Sequence, residues 1–166
     1  MNKEQKRKVQ LQQRTLNESL TFQTMFGAKQ KFDSLTPEIE TRIKEELLVF
    51  ANLGIAKDLM TLRDVMDKVK EQLGYSAEPS KGILAGSYVA YSLGLEPSNP
   101  MVTGKEIEPK DFQVILPLGL TICYDNEVRN EVVNWMKEQG CEFTTYMSQP
   151  MLKLENTRVI IRRVLK

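Results

Sequence analysis

The sequence predicts an α+β fold in which helices pack on a small mixed β-sheet, and three observations support this class. In the first half of the chain, apolar residues recur every three or four positions, as they do on one face of a helix. In the second half, apolar and polar residues alternate at several places, as they do in half-buried strands. The length of 166 residues and the hydrophobic content of 41% are enough for one compact core.

Helices are predicted at three places in the first part of the chain. Residues 1–30 begin polar and basic and then carry apolar residues at loose helical spacing. The clearest helix begins after Thr36, a favoured N-cap, has Pro37 at its first helical position and ends at Gly54. A third helix is predicted over residues 58–73, where apolar residues step by three and four.

Short strands and one helix are predicted in the second part of the chain. Residues 96–110 contain three prolines and a glycine and are predicted to form a loop. A short apolar strand is predicted at 112–116, and a second strand at 118–124, where apolar residues alternate. Asp125 is predicted to cap a helix that runs to about Gln139. The remaining chain alternates again and is predicted to form two or three antiparallel strands.

The chain is predicted to contain two segments. Residues 1–35 form a helical, basic N-terminal arm, and residues 36–166 form a single α+β domain. The basic side chains of the arm are interpreted either as phosphate contacts or as the charges of a solvated terminal helix. These side chains are Lys3, Lys6, Arg7, Lys8 and Arg14.

Composition excludes several classes of function. The chain contains no histidine, which excludes Ser–His and Cys–His catalysis and leaves too few ligands for a usual zinc site. The formal net charge of +1 indicates that any basic surface is local. The sequence shows neither a secretory leader nor an apolar run that could cross a bilayer. We therefore expect a cytoplasmic protein without membrane contact, with Cys123 and Cys141 as free thiols.

The most informative stretch is residues 81–91, where two glycine turns lead into a predicted helix at 88–93. A glycine turn at the start of a helix leaves backbone N–H groups that can bind an anion, and the helix dipole adds positive potential there. The alternative is that the glycines serve close packing between helix and strand. The predicted phosphate site consists of Lys81, Gly82, Gly86 and Ser87.

Three segments together carry a resemblance to a known family. Residues 81–91 read K-G-I-L-A-G-S-Y-V-A-Y, residues 127–133 read E-V-R-N-E-V-V, and residues 42–53 form a helical segment before Gly54. In order and spacing these resemble the palm of bacterial C-family replicative DNA polymerases, the DNA polymerase III alpha subunits. That family carries G-R-G-S-A-A-G-S-L-V-A-Y and E-x-R-D-x-V-I at the corresponding places. The resemblance implies a polymerase-beta-like nucleotidyltransferase palm.

The resemblance also implies a metal site whose side chains are missing. The family holds two magnesium ions with the aspartates of a strand motif, P-D-I-D-x-D, because close carboxylates are needed to hold the metals. Counted back from Arg129 without gaps, these aspartates fall on Gly119, Thr121 and Cys123. The sequence therefore predicts no metal ligand, no catalytic residue and no cofactor.

A basic strip is predicted at the C-terminal end of the chain. Its residues are Arg158, Arg162, Arg163 and Lys166. On an exposed strand such residues favour phosphate contacts. The alternative is a solvated edge strand whose charges discourage aggregation.

These observations lead to one functional hypothesis and two alternatives. The hypothesis is a catalytically inactive palm-like domain that binds nucleic acid, a nucleotide phosphate or a replication protein. One alternative is an active Mg²⁺-dependent nucleotidyltransferase with atypical carboxylates, of which Asp125 and Glu127 have a suitable spacing, although capping explains both. The other is a structural protein-interaction module, and the sequence does not specify an oligomeric state.

Overall fold

The computed structural model describes residues 1–115 and 119–165, and these residues confirm the α+β prediction. They form seven α-helices and a mixed sheet of four strands, with a 3₁₀ turn at Ile83–Gly86 before the fourth helix. The helices are α1 (Lys3–Lys31), α2 (Pro37–Leu53), α3 (Ala56–Leu73), α4 (Tyr88–Leu93), α5 (Pro100–Thr103), α6 (Pro109–Ile115) and α7 (Arg129–Glu138). The strands are β1 (Leu120–Asp125), β2 (Phe143–Tyr146), β3 (Gln149–Lys153) and β4 (Arg158–Val164).

The long helix α1 packs on the rest of the protein through its second half. Residues 1–15 are exposed, whereas Ala28 is fully buried. A Cβ atom on Gly27 would collide with the backbone carbonyl of Ser92, so α1 and α4 cross at close range. The predicted division into an arm and a domain at residue 35 stays a prediction.

The capping residues predicted for α2 are confirmed. The Thr36 Oγ1 accepts a hydrogen bond from the Ile39 N–H at 3.3 Å, and Gly54 ends the helix in the left-handed conformation, with φ at 68°. Helix α3 begins at Ala56, slightly before the predicted start, and ends at another left-handed glycine, Gly74. Local capping rules therefore account for both ends of α2 and for the C-terminal end of α3.

The segment between α4 and β1 is more helical than predicted. The predicted loop at 96–110 contains α5 and the start of α6, and the predicted strand at 112–116 is wrong because α6 occupies its described part. Leu116 lies outside the described residues. A short apolar run does not distinguish a strand from a helix, and a proline at the first position favours the helix. Phe112 is buried against Phe50, with ring centroids 5.5 Å apart.

The sheet has the strand order β1-β4-β3-β2. Strand β4 runs antiparallel to β3, and β3 runs antiparallel to β2, which confirms the antiparallel strands predicted for the tail. Strand β4 also pairs with β1 in parallel, with Cys123 beside Arg162. The carboxyl ends of β1 and β4 therefore lie at the same edge of the sheet.

Strand β1 alternates as predicted over its described residues. Leu120, Ile122 and Tyr124 are buried in the core, whereas Thr121 and Cys123 lie on the other face of the strand. The predicted first residue of this strand, Leu118, lies outside the described part of the chain. The confirmed alternation fixes which side chains of β1 face away from the core cluster.

The helix cap predicted at Asp125 is wrong. Asp125 is the last residue of β1, and its Oδ1 accepts a hydrogen bond from the Glu127 N–H at 2.8 Å. Helix α7 begins later, at Arg129, after a Val128 N-cap that makes no side-chain capping bond. The aspartate thus closes the turn between strand and helix, since Asp and Asn side chains readily bond to the backbone two residues ahead.

One contiguous hydrophobic core extends from the second half of α1 to β4. Within residues 1–115 and 119–165, no helix is both long and apolar enough to cross a membrane.

Candidate functional site

A cavity of about 800 Å³ lies at the carboxyl ends of β1 and β4. Segment 78–82 forms one wall, and the end of β4 forms another. The Glu78 N–H donates to the Cys123 carbonyl at 2.8 Å, which attaches this segment to the free edge of β1. The lining residues are Glu78, Pro79, Lys81, Gly82, Thr121, Cys123, Arg162, Arg163, Val164 and Leu165.

The turn at Lys81 and Gly82 is held against β1 by Ser80. The Ser80 Oγ donates to the Thr121 carbonyl at 3.2 Å and accepts from the Gly82 N–H at 2.9 Å. A Cβ atom on Gly82 would lie 3.2 Å from the Thr121 Cβ, so the turn lies close to the strand and a side chain there would require a small shift. Lys81 itself is exposed and is one of the lining residues of the cavity.

The buried side chain of Glu96 accepts a hydrogen bond from the same turn. Glu96 is 1% exposed, and its oxygens accept hydrogen bonds from the Ser80 N–H at 3.2 Å and the Ser98 N–H at 3.3 Å. Burial raises the pKa of Glu96, although these hydrogen bonds oppose the shift. Glu96 therefore fixes the position of the turn.

The resemblance would align three strand positions with the aspartates of the polymerase family, and two of these positions line the cavity. These are Thr121 and Cys123, whereas Gly119 precedes β1 and is not a lining residue. A thiol is a poor ligand for Mg²⁺, which prefers oxygen, and a threonine hydroxyl lacks the negative charge of a carboxylate. In the part of the chain that the structure describes, no group of three or more Cys, Asp or Glu residues is arranged to hold a metal ion.

The Cys123 thiol is not activated as a nucleophile. It is 3% exposed, and burial raises its pKa above the usual value. The thiolate is the reactive form of cysteine, so a protonated thiol in this position is inert. Cys123 therefore belongs to the lining of the cavity without adding a reactive group to it.

The predicted basic strip is divided between two ends of β4. Arg162 and Arg163 are exposed and line the cavity. Arg158 lies about 13 Å away along the strand, and its Nη1 donates to the carbonyls of Leu154 and Thr157, each at 3.1 Å. Lys166 lies outside the described residues.

The second half of the predicted phosphate site is in the protein interior. Gly86 and Ser87 are buried, and a Cβ atom on Gly86 would collide with the Lys105 carbonyl and the Ile107 side chain. This close approach is a packing contact with the segment between α5 and α6, not the helix–strand contact considered for the glycines. The structure therefore separates Gly86 and Ser87 from Lys81 and Gly82, which face the cavity.

An internal carboxylate already occupies the start of α4. Glu46, from α2, is fully buried, and its oxygens accept hydrogen bonds from the Ser87 hydroxyl at 2.6 Å, the Tyr88 N–H at 2.9 Å and the Val89 N–H at 3.2 Å. Arg42 makes an ion pair with it at 3.0 Å. These are the N–H groups that an external phosphate would use.

The electrostatics of Glu46 follow from its burial. Desolvation raises its pKa, and the hydrogen bonds from Ser87, Tyr88, Val89 and Arg42 oppose that shift. Sequence reasoning missed this residue, although a signal was present. Glu46 falls on the same helix face as the buried apolar residues of α2, where a carboxylate needs a partner.

Comparison with known protein families and with curated proteins found no match to this chain.

Proposed function

We propose that this chain is a catalytically inactive, polymerase-palm-like module that binds nucleic acid through its phosphates at the cavity between segment 78–82 and the ends of β1 and β4. One observation carries the proposal. The cavity combines three features that the sequence indicated separately: the Lys81–Gly82 turn, the positions Thr121 and Cys123 that the resemblance aligns with metal-binding aspartates, and the pair Arg162 and Arg163.

The charge and size of the cavity support a phosphate ligand. Lys81, Arg162 and Arg163 line it, against one acidic lining residue, Glu78. Its volume of about 800 Å³ falls within the range of ligand sites, roughly 300–1,000 Å³. Arginine binds phosphate oxygens in a bidentate manner, and lysine adds a point charge.

The proposed loss of activity rests on the side chains of β1. A two-metal transfer needs carboxylates close to the reacting phosphate, and Thr121 and Cys123 offer neutral groups there. Asp125 and Glu127 are not among the lining residues of the cavity, and Asp125 accepts the Glu127 backbone N–H and closes a turn. The positions that would hold metal ions are therefore proposed to serve binding only.

The salt dependence of DNA binding tests the proposal. Labelled DNA is titrated by fluorescence polarisation at several salt concentrations between about 50 and 200 mM. Affinity should fall as salt rises, and Lys81→Gln and Arg162→Gln should each reduce the slope of log K against log salt by about 0.7–0.9. Lys153→Gln is the control and should leave the slope unchanged. Lys153 is an exposed cation at the other end of the sheet, where it lies opposite Arg158 in the β3–β4 register.

Two results would contradict this function. Affinity that is independent of salt, or unchanged in both cavity variants, would favour a structural interaction module. Nucleotidyl transfer that requires Mg²⁺ and is lost in Asp125→Ala would show an active enzyme.

A further inference from the structure

The turn between β2 and β3 carries an exposed aromatic ring beside the cavity. Tyr146, the last residue of β2, is 50% exposed, and Met147 is 80% exposed. A recess of about 370 Å³ lies next to them. Its lining residues are Tyr146, Met147, Gln149, Arg162 and Arg163.

This recess and the cavity are neighbours. Arg162 and Arg163 line both of them, so this end of β4 lies between Lys81 on one side and Tyr146 on the other. The surface thus presents cations in its middle and at one end, with an aromatic ring at the other end.

The turn that carries Tyr146 is held by its backbone conformation and by contacts of its neighbours. Met147 and Ser148 both have positive φ values, 49° and 66°, as a two-residue hairpin turn requires. Gln149, which pairs with Tyr146, accepts a hydrogen bond from the Arg129 Nη1 at 3.1 Å. The same atom of Arg129 donates to the Ile161 carbonyl at 2.8 Å, which connects the turn to β4.

We infer that the nucleic acid bound here is single-stranded, with phosphates at Lys81, Arg162 and Arg163 and a base stacked on the Tyr146 ring. The inference rests on the proposed function, because it names the ligand of the same site. A basic groove beside an exposed aromatic ring is suited to a single strand, whose bases are free to stack on protein. In a duplex the base faces are stacked on one another and do not reach the ring.

The test compares three labelled DNA ligands and two Tyr146 variants. The ligands are an oligo(dT) strand, an abasic strand of the same length and a duplex. Tyr146→Ala should weaken oligo(dT) binding by about 5- to 150-fold, since stacking contributes about 1–3 kcal/mol per base. Tyr146→Phe keeps the ring and should retain the affinity. The abasic strand should bind wild-type protein about as weakly as oligo(dT) binds Tyr146→Ala.

The outcomes separate this inference from the proposed function. Equal loss of duplex and oligo(dT) binding in Tyr146→Ala would overturn the stacking role, as would wild-type protein binding the abasic strand as tightly as oligo(dT). In both cases salt-dependent binding that requires Lys81 and Arg162 would leave the proposed function standing. The absence of salt-dependent binding to all three ligands would overturn both. The abasic comparison uses wild-type protein, so it decides the question even if a variant fails to fold.

Discussion

The two glycine turns of residues 81–87 look alike in the sequence and differ in the structure. The Lys81–Gly82 turn faces an open cavity with cations around it, whereas the Gly86–Ser87 turn is buried and its helix start is occupied by Glu46. The difference teaches that free N–H groups at a helix start cannot be inferred from a glycine turn alone. A distant carboxylate in the same chain can take the place of the phosphate.

From this difference we expect one turn to matter for folding and the other for binding. Ser87 joins α4 to α2 through its hydrogen bond to Glu46, and Gly86 packs against Lys105 and Ile107, so changes at either residue should affect folding. Lys81 and Gly82 lie at the cavity, so changes there should mainly affect binding. The following predictions are ordered from the largest expected effect to the smallest.

Removal of the internal carboxylate should have the largest effect. Glu46→Ala leaves the partly buried Arg42 without its ion-pair partner and leaves the Tyr88 and Val89 N–H groups without an acceptor. We expect the free energy of unfolding to fall by about 3–5 kcal/mol, as it does when one member of a buried pair is removed. Urea denaturation measures the change, and Glu45→Ala is the exposed control on the same helix, expected within about 0.5 kcal/mol. Equal stability of both variants would show that Glu46 does not hold the α4 start.

A methyl group added at each turn should lower the stability of the protein by different amounts. Gly86→Ala places a Cβ atom against the Lys105 carbonyl and the Ile107 side chain, so we expect a loss of about 1–3 kcal/mol or more from overpacking. Gly82→Ala meets the Thr121 Cβ at 3.2 Å, and a small shift of the exposed turn relieves the contact. Urea midpoints measured under the same conditions should therefore fall much further for Gly86→Ala, and the reverse order would contradict the account.

The pH dependence of stability should report on Glu46. Because burial raises its pKa in the folded state, the folded protein holds this proton at a pH where the unfolded chain has released it. The stability that this carboxyl contributes is thus fully present below the unfolded value, about 4.3, and is lost as pH rises through the folded pKa. Relative to Glu46→Gln, which does not titrate, wild-type protein should become less stable as pH rises above about 4.3. A relative stability that increases with pH over this range would contradict the assignment.

The helical half of the fold could largely be predicted from the sequence because its signals are local. Thr36 and Gly54 define the ends of α2 through capping rules that involve only neighbouring residues. The error at Phe112 has a local origin too, since a short apolar run alone fits a strand and a helix equally well, and Pro109 at the first helical position was the signal for the helix. The turn that Asp125 closes was mistaken for a helix cap because the same side-chain chemistry serves both.

The candidate site could be predicted only in part, because its parts are distant in the sequence. Lys81, Gly82, Arg162 and Arg163 were each identified, but their meeting in one cavity depends on the parallel pairing of β1 with β4, which no local pattern specifies. The occupation of the α4 start by Glu46 depends in the same way on the packing of α2 against α4.

The contrast between the two turns can be measured directly by NMR mapping of backbone amide shifts during a titration with oligo(dT). We predict shifts at Lys81, Gly82, Thr121 and Arg162, which lie at the cavity. The signals of Ser87, Tyr88 and Val89 should be unchanged, because the Ser87 hydroxyl and the Tyr88 and Val89 N–H groups donate to Glu46. Shifts confined to residues 87–89, with none at the cavity, would contradict the account.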